Sequence, residues 1–283
     1  MSARFLSSTV NVSTSAKCSP TKAKEAVFVP FAEGGFGSSG ATPGKHHAGY
    51  IEPIHSKVFK LALSIPFRKG SVFTIGDYGA ADAQFQVIHE DQGENDFNSL
   101  FRRLTGIIPE PPSYLLTMDN VYAFACGTDF YKQCVPSNSM HFIMCMMSVH
   151  WLSQLPTVYR DSIYVYYESL KEEKVALRRQ AQADWEKFLL MRSRELREGG
   201  VLFVGSPAAY MDQKTCRLRH YGEKLVTLMT DVWKSFTISG KIARHEFINT
   251  NFPCCLRNTD QIREPFEIEG SQVLALGQHL LPK

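Results

Sequence analysis

The stretch Val72-Phe73-Thr74-Ile75-Gly76-Asp77-Tyr78-Gly79-Ala80-Ala81-Asp82 decides how the rest of the chain is read. A short apolar run opens into a turn of small residues that carries an acid. In a doubly wound sheet this is how a buried strand ends where a nucleoside cofactor lies, because a side-chain-poor turn lets backbone N–H groups and ligand approach closely. The next apolar run, residues 85–89, closes on His89-Glu90-Asp91. An acid at the carboxyl end of that strand is suited to accept both hydroxyls of a ribose. Alone, the glycine turn reads more readily as a tight strand exit; the two features together are more telling than either.

Outward from this point strand and helix patterns alternate. Residues 56–65 have helical spacing, and 71–76 and 85–89 read as strands. Residues 95–104 read as an amphipathic helix with Phe97, Leu100, Phe101 and Leu104 on one side. Further short strands are expected at 121–126, 141–145 and 201–205, with a long helix from about 168 to 197 stopping at Gly199-Gly200. Strands separated by helices imply a mostly parallel sheet covered on both faces, and so an α/β fold. The first 45 residues differ: 1–24 are rich in Ser and Thr and basic without an acid, and 33–45 are glycine-rich. They read as a disordered tail ahead of one domain over 46–283; the alternative for 1–24 is an organellar targeting segment. The glycine-rich run lacks the spacing of a phosphate loop, and His46 stands where Ser or Thr would hold magnesium.

Composition narrows the function classes. The balance of 31 basic and 28 acidic side chains, net charge +3, gives no field strong enough to hold nucleic acid or an anionic membrane. Seven cysteines, with no C-x-x-C pair, read as reduced thiols in a cytoplasmic protein, and the nine histidines show no metal-ligand spacing. Apolar runs such as 142–155 are too short and too polar to cross a bilayer.

Several ordered motifs carry a resemblance. These are Asn95-Asp96-Phe97-Asn98; Ser139-Met140-His141-Phe142; Ser148-Val149-His150-Trp151-Leu152-Ser153-Gln154-Leu155-Pro156; and Trp185-Glu186-Lys187-Phe188-Leu189, running through Arg192 and Arg194-Glu195-Leu196 to Gly199-Gly200. Together, over about residues 70–270, they closely resemble the SABATH family of S-adenosylmethionine-dependent carboxyl methyltransferases. The resemblance implies a Rossmann-like class I methyltransferase sheet with an α-helical cap, here from about 150–195 and 222–255. It implies S-adenosylmethionine as cofactor, a small carboxylic acid as substrate, and a homodimer. Position by position, Asp77 and Gly79 resemble the first cofactor loop and Asp91 the ribose-binding acid. Asp129 and Phe130 stand where the family has Ser-Phe beside the adenine. His150 and Trp151 match the pair that helps hold the substrate carboxylate. Without the family, Trp151 reads as a core aromatic. Met144, Met146 and Met147 are either an adaptable wall for the acid's hydrocarbon part or plain core. No catalytic base is implied, since positioning suffices.

The departures are as specific. Tyr50 stands at the family's substrate-contacting tyrosine, but Lys57 replaces the glutamine seven residues on, and Ala83 replaces a loop glycine. The C-terminal metal-associated motif survives only as Asn251 and Pro253, so no metal site is expected. Only a few residues separate the two cofactor strands where the family places a crossover helix, and neighbouring parallel strands ordinarily need a dozen or more. Both strands are therefore not expected to keep their family positions without strain. The gap and the chain's end soon after Gly270 look like an internal deletion and a C-terminal truncation. Two functions compete on this reading: an active carboxyl methyltransferase, or an inactive descendant that no longer binds cofactor and serves as a binding or regulatory protein. A nucleotide-binding dehydrogenase is a third, with little support between residues 95 and 200.

Overall fold

A computed structural model describes residues 4–5, 65, 72–76, 84–109, 112–164, 170–212, 217–220, 223–268 and 271–273. Six strands form one all-parallel sheet: β1 (Arg4–Phe5), β2 (Val72–Gly76), β3 (Gln84–Asp91), β4 (Val121–Gly127), β5 (Met140–Met146) and β6 (Leu196–Gly205), in the spatial order β1-β6-β5-β2-β3-β4. The chain adds β3 and β4 on one side of β2, then crosses to add β5 and β6 on the other. The reversal between β2 and β5 opens a crevice at the strands' carboxyl ends, where open α/β sheets bind ligands. Of the N-terminal segment read as a tail, only Arg4–Phe5 is described, pairing with Val201–Leu202.

Contrary to the sequence expectation, β2 and β3 are parallel neighbours, with Val72 beside Gln84 and Ile75 beside Val87. The reach is sufficient. Returning across four register positions needs about 14 Å, and the eight Cα–Cα steps from Gly76 to Gln84 span up to about 26 Å.

Alternation along the strands supplies two cores. Phe85, Phe142 and Val201 pack with Ile65 on one face. On the other, Leu202 is joined by Ile88, Ile143, Cys145 and Val204 against α2 (Lys171–Glu195), which buries Trp185, Phe188, Leu189 and Arg192 at the spacing of one helix stripe. The first half of α2 packs differently: Leu177 and Ala181 meet Leu152, Tyr159 and Cys255. One helix therefore ties the sheet to the segment that follows β5.

Two expectations are corrected here. The long helix does not run to Gly199-Gly200 but ends at Glu195, because Leu196 turns extended (φ −69°, ψ 133°) and buries itself opposite Met140. The glycines instead serve a bulge between the Met140 and Phe142 pairings: Gly199 has φ 74°, and a Cβ on Gly200 would stand 2.9 Å from the Arg197 carbonyl oxygen. The helix expected over 95–104 is α1 (Phe97–Leu104), capped by the Asp96 carboxylate accepting from Ser99 N–H at 3.1 Å. Its apolar side is only partly covered, with Leu104 buried and Phe101 exposed.

Beyond β6, a hairpin of β7 (Ala209–Asp212) and β8 (Arg217–His220) precedes the helices α3 (Glu223–Ile238), α4 (Arg244–Asn249) and α5 (Thr259–Glu267). Between α4 and α5 runs a strap, residues 251–255. The Asn251 side chain accepts from Tyr159 N–H (2.7 Å) and donates to the carbonyls of Tyr159 (3.2 Å) and Ser162 (3.1 Å). The Pro253 carbonyl accepts from Leu152 N–H (2.7 Å), and Cys255 N–H donates to the His150 carbonyl (2.8 Å). Among the described residues, Cys126, Cys134, Cys145, Cys254 and Cys255 are free thiols, and no helix is long and apolar enough to cross a membrane.

Candidate functional site

A cleft of about 470 Å³ opens at the carboxyl ends of β3 and β4. Its walls are three loops: Gln92–Glu94 after β3, Gly127–Lys132 after β4, and Trp151–Ser153 after β5. The loop after β4 approaches that after β3 closely. Thr128 N–H donates to the Asp91 carbonyl (2.9 Å), and a Cβ on Gly127 would press on Gly93 Cα at 3.3 Å. A side chain at 127 would push the two cofactor-candidate loops apart.

Of the residues singled out from sequence, Asp129, Phe130 and Trp151 line this cleft together. Asp91 stands beside it, next to the lining residue Gln92. Its exposed carboxylate accepts from Gln92 N–H and from the Asn95 side-chain amide, both at 2.8 Å. One lone pair on each oxygen remains for a hydroxyl donor. The Asp129 carboxylate uses Oδ1 to cap its own turn, accepting from Tyr131 N–H at 2.9 Å, and its Oδ2 has no hydrogen-bond partner among the described residues. The Phe130 ring is fixed from two sides, by Tyr131 at 4.5 Å and by Phe188, edge-on, at 5.9 Å. Asp77, Gly79 and Tyr50 lie outside the described residues.

Trp151 is pinned by its backbone and open at its side chain. Its N–H donates to the Ser148 carbonyl (3.0 Å), its carbonyl accepts from the Tyr131 hydroxyl (2.6 Å), and it forms a β-bridge with Cys254. The indole is 41% exposed, and its N–H has no hydrogen-bond partner among the described residues. It is thus not a core aromatic. His150 packs its ring 5.4 Å from the indole, with Nδ1 buried and unpartnered. Burial, aided by the nearby Arg257 guanidinium, pushes the imidazole down to about 4 and keeps it neutral near pH 7. A neutral imidazole retains one N–H to offer, without a charge of its own.

Sequence reading passes over two residues of this cleft, Tyr131 and Ser153, and over Glu90 outside its lining. Tyr131 joins the two walls through its bond to Trp151 and stays a phenol because burial raises its pKa. Ser153, at the cleft's edge, is held by the buried Asp184 carboxylate through its N–H (2.9 Å) and its hydroxyl (2.7 Å). Ser153 stood within a quoted motif, but only the tertiary pairing with Asp184 shows why. Glu90, one residue before Asp91, points to the α2 side. Burial, with the carboxylates of Asp91, Glu195 and Asp129 nearby, lifts it to about 7, and the Arg192 charge only partly opposes this. The proposed methionine wall is not part of the cleft: Met144 packs on the opposite face of the sheet, and Met147 is exposed at φ 56°.

A family model described as SAM dependent carboxyl methyltransferase matches residues 74–277. Gibberellic acid methyltransferase 1 of Arabidopsis thaliana is 28% identical over 219 residues, covering 70% of this chain and 56% of its own length. Loganic acid O-methyltransferase of Catharanthus roseus is 34% identical over 134 residues, covering 44% of this chain and 33% of its own. The chain spans about half the length of the curated relatives it matches. A solved loganic acid methyltransferase with SAH aligns with a TM-score of 0.62 at 19% identity, over 82% of this chain and 79% of that one. At that identity the likeness is one of fold.

Proposed function

Because the chain belongs to the SABATH family of SAM-dependent carboxyl methyltransferases, we propose that it transfers the methyl group of S-adenosylmethionine to the carboxylate of a small organic acid. One observation carries this reading. One cleft at the carboxyl end of the sheet has an aromatic ring and a carboxylate oxygen on one wall, Phe130 and Asp129, and an indole N–H on the other, Trp151, with neither polar group bonded among the described residues. In this reading Asp91 takes the ribose hydroxyls, Asp129 accepts from the adenine amino group, and Phe130 packs on the ring. Asp77 and Gly79 form the remaining cofactor loop.

The cofactor supplies a methyl group already activated on a sulfonium. A carboxylate is ionised at neutral pH, so the chain has no proton to remove. An O–C bond forms as the S–C bond breaks, and the electron pair of that bond stays on sulfur. What remains for the protein is to dry the cleft, align the two partners and hold the acid. Trp151 and His150 do the holding. The indole N–H and a neutral imidazole donate to the carboxylate without forming an ion pair that would have to be broken as the charge disappears in the ester. The acids in the names of these relatives, gibberellic and loganic acid, define the panel to test. The reading brings with it a cytoplasmic homodimer, one domain over 46–283 to whose sheet Arg4–Phe5 adds an edge strand in place of a wholly disordered tail, and no nucleic-acid or membrane partner.

The second reading, a non-catalytic binding protein, is favoured by the short connection over residues 77–83, where the family's crossover helix would present an N-terminus to the cofactor. Isothermal titration with S-adenosylmethionine separates the two. Micromolar binding, followed by label transfer from methyl-labelled cofactor to an acid of the panel, is expected. No heat at millimolar cofactor sinks the enzyme.

A further inference from the structure

We propose that Arg192 and Glu195, in the last turn of α2, are positioning residues that hold the cofactor wall of the cleft in shape. The inference rests on the reading above for what the cleft binds, and on geometry for the rest. Both side chains are almost wholly buried, at 5% and 2% exposure. They face the segment 130–135, which lies outside the sheet and the helices. The guanidinium donates through Nη1 to the Phe130 carbonyl (2.9 Å) and through Nη2 to the Lys132 carbonyl (2.8 Å), the Cys134 sulfur (3.4 Å) and Glu195 Oε1 (2.8 Å). Its Nε stands 2.7 Å from Glu195 Oε2, close but not aligned for a hydrogen bond. Glu195 Oε1 in turn accepts from Cys134 N–H at 2.6 Å and Val135 N–H at 3.4 Å. One ion pair therefore takes up the carbonyls of 130 and 132 and the amides of 134 and 135.

The arrangement bears on the ligand side through Phe130. Arg192 fixes its carbonyl, and the guanidinium lies 5.3 Å over Phe188, whose ring meets the Phe130 ring edge-on. The backbone and side chain of the proposed adenine wall are thus set by successive turns of the same helix. A buried ion pair is weak support for stability, since well-packed apolar residues often do as well. It is a strong means of fixing direction, because a planar fork binds two carbonyls only in one orientation, and lysine cannot reproduce it.

The test uses the full chain, S-adenosylhomocysteine as the probe and amide hydrogen exchange as a ligand-independent readout. Arg192→Lys is expected to raise the Kd for S-adenosylhomocysteine about tenfold or more and to speed exchange at Cys134 and Val135 in the free protein. Phe247→Ala, at a buried position outside the cleft lining, provides a destabilised control whose Kd should stay within about threefold of wild type. An unchanged Kd in Arg192→Lys, or an equal loss in the control, overturns the positioning role. Unchanged exchange at Cys134 overturns the clamp itself while leaving the proposed function standing. A wild-type chain that does not bind S-adenosylhomocysteine overturns the proposed function and with it the cofactor role. Should Arg192→Lys not fold, Glu195→Gln keeps an acceptor for Cys134 but removes the charge that holds the guanidinium, and it carries the same comparison.

Discussion

Trp151→Phe tests the substrate side with little risk of confusing binding with folding. The backbone at 151 is held by Ser148, Tyr131 and Cys254, none of which depends on the side chain. With the indole 41% exposed, phenylalanine loses little buried area and keeps the ring contacts to His150 and Phe252. Stability should move by less than about 1 kcal/mol. The N–H is lost outright, and phenylalanine has no donor to put in its place. A hydrogen bond to a carboxylate is worth about 1.5–3 kcal/mol, which predicts a fall of roughly 10- to 150-fold in acid affinity or turnover. The assay is methyl transfer against the acid panel at saturating cofactor, with S-adenosylhomocysteine affinity as control, expected to stay within about twofold. If acid use is unchanged while the melting temperature drops, Trp151 is a packing residue and the substrate assignment fails.

The cofactor wall, the buried acid and the buried imidazoles give three further predictions. Asp91→Ala should weaken S-adenosylhomocysteine by about tenfold or more and leave the acid side intact; calorimetry showing wild-type affinity would remove Asp91 from the site. Glu90 has its folded-state pKa raised to about 7 from 4.5, so the folded state holds a proton that the unfolded chain has released between those values. Stability is therefore lost as pH rises from about 4.5 through 7, and Glu90→Gln should gain on wild type over that window and level off above it. Urea titrations from pH 4 to 8 that run parallel would contradict this. His141 and His150 behave in the opposite sense: both are held down to about 4 from 6.5, by burial and the neighbouring Arg197 and Arg257 charges respectively. Stability is lost as pH falls from 6.5 toward 4, and His150→Gln should make that acid limb shallower.

The parts of this architecture that sequence made legible are those in which a repeating physical demand leaves a period. Buried strands leave apolar runs, and α1 leaves Phe97, Leu100, Phe101 and Leu104 on one side. Sequence misjudged places where a tertiary partner overrode a local signal. Gly199-Gly200 read as a helix stop, yet the burial of Leu196 ends the helix first, and the glycines bend the strand around Met140. The short link between β2 and β3 read as an obstacle because crossover connections usually contain a helix, while reach alone does not forbid the pairing. The site divides along the same line. Asp91, Asp129, Phe130, His150 and Trp151 were chosen by motif, and three of these line one cleft. Arg192 and Glu195 were also in a motif, but their purpose was illegible, because the groups they serve lie 58 to 62 residues earlier and are mostly backbone atoms. A carbonyl leaves no trace in a sequence. When a guanidinium's partners are peptide oxygens, side-chain identity at the receiving end is unconstrained, and only the folded chain shows which loop the cation holds.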